Sequence, residues 1–172
     1  LAIFPLAATS QAEEQDLRTI VKQGKAATAL VQTESHHSGT AFCINPDGWF
    51  VTNQHVVGNA QEGDSTTLIL NAAEDNERVV KATILRVDKE ADLALLQAEG
   101  EDFPSLPLGK DDDLFETNQI TAFGFPFGRL LAKREEYPGV TVSAGRITAL
   151  RKREGKLETI QLDNSLHPGN SG

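Results

Sequence analysis

No disulfide can form within this chain, because Cys43 is its single cysteine. That residue lies in the apolar run Ala41-Phe42-Cys43-Ile44, so it reads as a small buried hydrophobe rather than a catalytic thiol. Methionine is absent altogether, which implies that the native start is missing or was removed. Long apolar runs are also lacking. The opening Leu1–Ala8 stretch falls far short of the roughly 20 residues that span a bilayer, so no membrane span is expected. It reads as the tail of a secretory signal or anchor, with a linker or a strand against a neighbouring subunit as the alternative. Basic residues are the minority, 16 Lys and Arg against 25 Asp and Glu, for a net charge of −9. Phosphate binding needs a basic face, so nucleic acid is not the expected partner. Metal-ligand spacing is missing too. His36 and His37 are adjacent, would point in opposite directions on a strand, and have no spaced Cys or His to complete a set.

What is present is an ordinary globular composition, 39% hydrophobic and 24% charged over 172 residues. That is enough for one domain or two small packed halves. Ser10-Gln11-Ala12-Glu13 has the form of a capping box opening a helix. Leu17, Ile20 and Val21 give that helix a narrow apolar stripe, and Gly24 is its expected stop. After residue 26 the period shortens. Strands are predicted over 27–33, 39–44, 49–52, 68–70, 78–87, 93–96, 119–123, 140–150 and 157–162. Asn45-Pro46-Asp47-Gly48 forms a hairpin turn between the second and third, and residues 71–77 form a polar loop. Residues 98–113 turn acidic and rich in turn formers, and read as a link between two halves. Many short strands and one good helix predict an all-β sandwich or barrel.

The chemistry is concentrated at His167-Pro168-Gly169-Asn170-Ser171-Gly172. A serine among small residues, two positions after a glycine, suits an exposed nucleophile. The N–H groups of Gly169 and Ser171 could then share one small space, an oxyanion hole. His55 is expected at the end of a strand facing a cleft, and Asp92 at the mouth of the apolar strand Leu93-Ala94-Leu95-Leu96. A carboxylate there needs a partner, either a backbone N–H or an arginine such as Arg86 on a structural reading, or an imidazole on a catalytic one. The order His55…Asp92…Ser171 is that of the chymotrypsin-like two-barrel hydrolases. A serine hydroxyl needs a base, imidazole titrates near neutrality, and the imidazole needs a carboxylate to fix its tautomer.

Several segments resemble the HtrA (Deg-type) serine proteases, in family order. They are Gly39-Thr40-Ala41-Phe42, Asn45-Pro46-Asp47-Gly48, Val51-Thr52-Asn53-Gln54-His55-Val56-Val57, Ala91-Asp92-Leu93-Ala94-Leu95-Leu96, Leu106-Pro107-Leu108-Gly109, Ala122-Phe123-Gly124-Phe125-Pro126-Phe127-Gly128, Val142-Ser143-Ala144-Gly145-Arg146-Ile147 and Pro168-Gly169-Asn170-Ser171-Gly172. The resemblance implies a chymotrypsin-like double β-barrel: residues 1–24 as N-terminal segment and helix, 25–105 as first barrel and 106–172 as second. The second is incomplete in this chain, because in the family further strands follow the serine. It implies a serine endopeptidase acting on unfolded or misfolded polypeptides in the periplasm or another extracytoplasmic space, without cofactor or metal. Assembly would be as a homo-trimer through the N-terminal segment. It implies His55, Asp92 and Ser171 as catalytic triad and places Ser165 in the substrate pocket. Ser165 is uncharged, which predicts a small or medium apolar preference, with Asp163 nearby as a counter-indication. Residues 129–139 would be a regulatory active-site loop, with Glu135 and Glu136 as solvated charges. His167 stands where the family more often has Asn and reads as a surface-loop residue. The alternative reading is an inactive fragment or a non-enzymatic peptide-binding or assembly module on the same fold.

Overall fold

A computed structural model describes residues 11–33, 38–126 and 137–172. The capping residue Ser10, the His36-His37 pair and most of the 129–139 loop, with Glu135 and Glu136, lie outside the described residues. The chain opens with helix α1 (Gln11–Ala27) and continues as β1 (Thr28–Gln32), β2 (Ser38–Asn45), β3 (Trp49–Thr52) and the single turn α2 (Gln54–Val57). Then follow β4 (Ser65–Leu70), β5 (Arg78–Asp88) and β6 (Leu93–Ala98). After a 3-10 turn at Asp111–Asp113 come β7 (Gln119–Gly124), β8 (Thr141–Arg153) and β9 (Lys156–Leu162).

Strands β1 to β6 close into an antiparallel barrel in the order β1-β2-β3-β6-β5-β4. Closure follows from alternation. Ala29, Val31, Ala41, Cys43, Leu68, Leu70 and Leu96 face one shared interior and are at most 4% exposed. Burying each of the larger ones contributes about 1.5–3 kcal/mol. The opposite faces of two strands are used as well. Leu30 of β1 and Ile69 of β4 point outward onto Ala72 and Phe125, a second small core joined by Tyr137 and Val140. That core docks the later half of the chain, the sheet β7-β8-β9, against the barrel. The β2–β3 hairpin has the predicted turn: Gly48 N–H donates to Asn45 O at 3.0 Å, Asp47 N–H to Asn45 Oδ1 at 2.7 Å, and Gly48 has φ +87°.

One expectation is corrected. Helix α1 does not stop at Gly24 but runs to Ala27. Gly24 is there because the Phe123 ring lies where a Cβ would be, so close approach and not helix ending explains the glycine. The apolar stripe of α1 is not buried, since Leu17 and Ile20 are 46% and 42% exposed. The acidic stretch after β6 is anchored over its first part. Phe103 is buried edge-on against Phe50, ring centroids 5.7 Å apart, and the N–H groups of Phe103 and Leu106 donate to Pro46 O and Cys43 O.

Candidate active site

His55 does not sit on a strand end. It sits on the one-turn helix α2, just past β3. The reason is local: Val56 and Val57 are drawn into the barrel interior, and with those two side chains inward the preceding His55 side chain faces out, 56% exposed. The turn is closed by Gly58, whose N–H donates to Gln54 O at 3.0 Å and whose φ is +64°.

Asp92 immediately precedes β6 with φ +53°, a left-handed conformation that Asp tolerates better than most residues. Four hydrogen bonds tie it to the α2 turn. Its carbonyl accepts from the Gln54 N–H at 3.1 Å and from Asn53 Nδ2 at 2.9 Å. Its carboxylate Oδ1 accepts from the His55 backbone N–H at 3.0 Å, and Oδ2 lies 2.8 Å from His55 Nδ1. The His55 N–H, then the ring, hold the Asp92 carboxyl below the usual carboxylate range. A carboxylate only accepts, so Nδ1 carries the proton and Nε2 of the neutral ring keeps its lone pair. Arg86 is not the partner of Asp92; it lies 3.6 Å from Glu62.

The serine arrives on a turn. Asn170 N–H donates to His167 O at 3.0 Å around Pro168-Gly169, and Gly169 has φ +97°. Proline at the first central position and positive-φ glycine at the second are the marks of a type II turn. From this turn the chain runs onto β2. Thr40 N–H donates to Ser171 O at 2.7 Å, Thr40 Oγ1 donates to Gly169 O at 2.8 Å, and Phe125 N–H donates to Thr40 Oγ1 at 3.1 Å. A methyl placed on Gly39 would stand 2.6 Å from Val56 Cγ2 and 3.0 Å from Ser171 O. The serine therefore lies beside the residue that follows His55. Gly172, at φ +150°, abuts the Thr40 carbonyl so closely that a Cβ would collide with backbone.

Of the residues singled out from the sequence, His55 and Asp92 are in contact, and Ser171 and Gly169 are both bonded to β2 at Thr40. Among the described residues, Ser171 Oγ and the His55 ring share no hydrogen bond. Ser165 is exposed; with His167 and Asn170 it lines a cavity of about 180 Å³ against Phe123 and Val142. A larger hollow of about 620 Å³ opens beside His55, lined by Val57, Asn59, Asp64 and Thr66 among others. Asp163 Oδ1 accepts from Arg146 N–H and is thereby tied to β8. Cys43 is buried, donates to Asn45 O at 3.1 Å, and has its thiol pushed up by burial despite that bond, so it stays protonated. Among the described residues no group of three or more His, Cys, Asp or Glu could hold a metal ion, and no helix is long and apolar enough to cross a membrane.

Sequence reasoning missed Thr40 and gave Asn53 no role. The signal was available: each is polar in or beside an otherwise apolar strand, and a buried polar side chain must find partners.

Residues 39–172 match the Trypsin-like peptidase domain family. Two relatives named as probable periplasmic serine endoproteases, DegP-like, are each 34% identical, from Pseudomonas fluorescens over 82% of this chain and from Hahella chejuensis over 81%. The chain spans 27% of the length of each. Among solved structures, the HtrA-type protease AlgW with tripeptide superimposes with TM-score 0.73 at 27% identity, over 90% of this chain and 48% of its own. Deg5 superimposes with TM-score 0.73 over 95% of this chain and 79% of its own, at 22% identity, which speaks to fold alone. The chain belongs to the trypsin-like peptidase domain family and, within it, is similar to DegP-like and HtrA-type proteases.

Proposed function

We propose that the protein is a serine endopeptidase in which Ser171 is the nucleophile, His55 the general base and then acid, and Asp92 the carboxylate that orients the imidazole. The observation that carries this reading is the two-point grip of Asp92 on His55: Oδ1 on the backbone N–H and Oδ2 on Nδ1. The grip fixes both ring and tautomer and reserves Nε2 for the serine proton. Such nucleophile–base bonds are often long before substrate binds and tighten in the Michaelis complex. The N–H groups of Gly169 and Ser171 are assigned to the oxyanion, with the positive φ of Gly169 in support. Attack by Ser171 Oγ on the carbonyl gives a tetrahedral oxyanion. Its collapse expels the amine, which takes the proton from His55, and leaves an acyl-enzyme that water hydrolyses by the same base.

The substrate class is unfolded or partly folded polypeptide. The exposed hollow beside His55 can admit an extended chain. Ser165 is assigned to the primary pocket, which favours small or medium apolar side chains. The relatives' names support a periplasmic or other extracytoplasmic location. The exposed Leu17 and Ile20 of α1 support an oligomer contact through the N-terminal segment, read as a homo-trimer.

The test is labelling by a fluorophosphonate, which reacts with activated serines, together with hydrolysis of unfolded casein by the full-length protein. Ser171→Ala is expected to abolish labelling and to lower kcat on the order of 10⁶-fold, with thermal unfolding unchanged. Undiminished hydrolysis by the variant sinks the assignment. Lack of labelling in the unsubstituted protein leaves a non-enzymatic peptide-binding role.

A further inference from the structure

We propose that Thr40 is a positioning residue for the nucleophile, and that its hydroxyl sets where the Ser171 loop stands against the barrel that carries His55. The inference rests on the reading of Ser171 as nucleophile. Thr40 is 3% exposed in the middle of β2, and it is bonded at every polar atom. Its N–H donates to Ser171 O at 2.7 Å. Its hydroxyl donates to Gly169 O at 2.8 Å and accepts from Phe125 N–H at 3.1 Å. Its carbonyl accepts from Thr52 Oγ1 at 2.7 Å.

These bonds join four segments. Thr52 ends the strand that leads into the His55 turn, and Phe125 follows β7 and docks the second sheet through Leu30 and Ile69. Gly169 and Ser171 flank the nucleophile loop. The hydroxyl thus links the barrel, the docked sheet and the serine turn. The turn's own bond, Asn170 N–H to His167 O, shapes the loop but does not fix its place relative to His55. The bonds from Thr40 do: its N–H to Ser171 O and its hydroxyl to Gly169 O, the hydroxyl itself being held by the Phe125 N–H. Neighbouring glycines show how closely this junction is packed: a Cβ on Gly124 would stand 2.7 Å from Asn170 Oδ1 and 3.1 Å from Thr40 Oγ1. A shift of about 1 Å in a reacting group can cost roughly 10²-fold in rate. The hydroxyl touches neither His55 nor Asp92, so its loss should change the rate of serine attack without changing how the rate depends on pH.

The experiment compares Thr40→Val, which keeps the shape and loses the hydroxyl, with Thr40→Ser, which keeps the hydroxyl. Thr52→Val is the control: it deletes another buried hydroxyl bonded at the same Thr40 peptide but not at the serine loop. In the full-length protein, Thr40→Val is expected to slow fluorophosphonate labelling and kcat by about 10- to 100-fold, with KM and the pH profile retained. Thr40→Ser should stay within about threefold of the unsubstituted protein, and Thr52→Val should unfold at a lower temperature while labelling at an undiminished rate. Should Thr40→Val fail to fold, Thr40→Ala, which places no methyl against the Phe125 N–H, takes its place with the same expected loss. Equal labelling by Thr40→Val and the unsubstituted protein overturns the inference, as does equal slowing by Thr52→Val. If the unsubstituted protein does not label at all, the reading of Ser171 falls and the inference with it.

Discussion

The two halves of this protein solve the problem of holding a side chain in place in different ways. In the barrel β1–β6 every strand is paired on both sides, so it has no edges and its register is fixed by a common interior. In the sheet β7-β8-β9 the side chains are mostly exposed or half-buried; Ile147 is buried, but Val142 and Ile160 are 38% and 41% exposed. The His55–Asp92 pair belongs to the first kind of structure. It spans the ends of two neighbouring barrel strands, β3 and β6, and is held by four hydrogen bonds within that rigid frame. Ser171 follows the second kind, and what fixes it is β2 of the barrel, through Thr40. The lesson is that Ser171 takes its position from the half to which it does not belong.

Of the changes that test this contrast, breaking the barrel corner should have the largest effect. Asp92→Asn keeps an oxygen for the His55 N–H but presents an amide to Nδ1, favouring the wrong tautomer. A fall in kcat of about 10⁴-fold is expected, with fold retained by circular dichroism. A decrease of less than tenfold would mean that the carboxylate is not the orienting group. The packing contrast comes next. Leu96→Ala, at a side chain fully buried in the barrel, should cost about 2–5 kcal/mol. Ile160→Ala on β9 should cost clearly less, about 1 kcal/mol or under. Chemical denaturation of the two variants measures the difference, and equal losses would erase the distinction between the halves. The smallest effect concerns pH. The Asp92 carboxyl is held below the usual range. Its contribution to stability is therefore present above the unfolded carboxylate pKa of about 4 and is lost as pH falls through the lower folded value. Asp92→Asn should flatten that acid-side decline in thermal unfolding, and an unchanged slope would assign the decline to other carboxylates.

Much of the barrel was legible because apolar runs and turn chemistry are local properties. The hairpin at Asn45–Gly48 and the strands through Leu68-Ile69-Leu70 and Leu93–Leu96 could be read from turn chemistry and from short apolar runs bounded by polar residues. Gly24 was misread because its partner, Phe123, lies about a hundred residues away, and a glycine near a helix end looks the same whether it stops the helix or makes room for a ring. His55 was placed on a strand end because its single helical turn is too short to show a helical period. Buried Val56 and Val57, rather than propensity, make it turn.

The sequence by itself determined which residue types could do chemistry here and in what order they occur, because nucleophile, base and carboxylate are fixed by functional group. It also determined where most barrel strands run, because short apolar segments bounded by turn formers can be recognised without knowledge of partners. Only the tertiary structure decided that Asp92 grips His55 rather than Arg86, and that Thr40 joins the serine loop to the barrel. Both are matters of hydrogen-bond geometry between segments tens to more than a hundred residues apart. A bond that acts over about 3 Å leaves no period in the chain; it exists only once the barrel has closed.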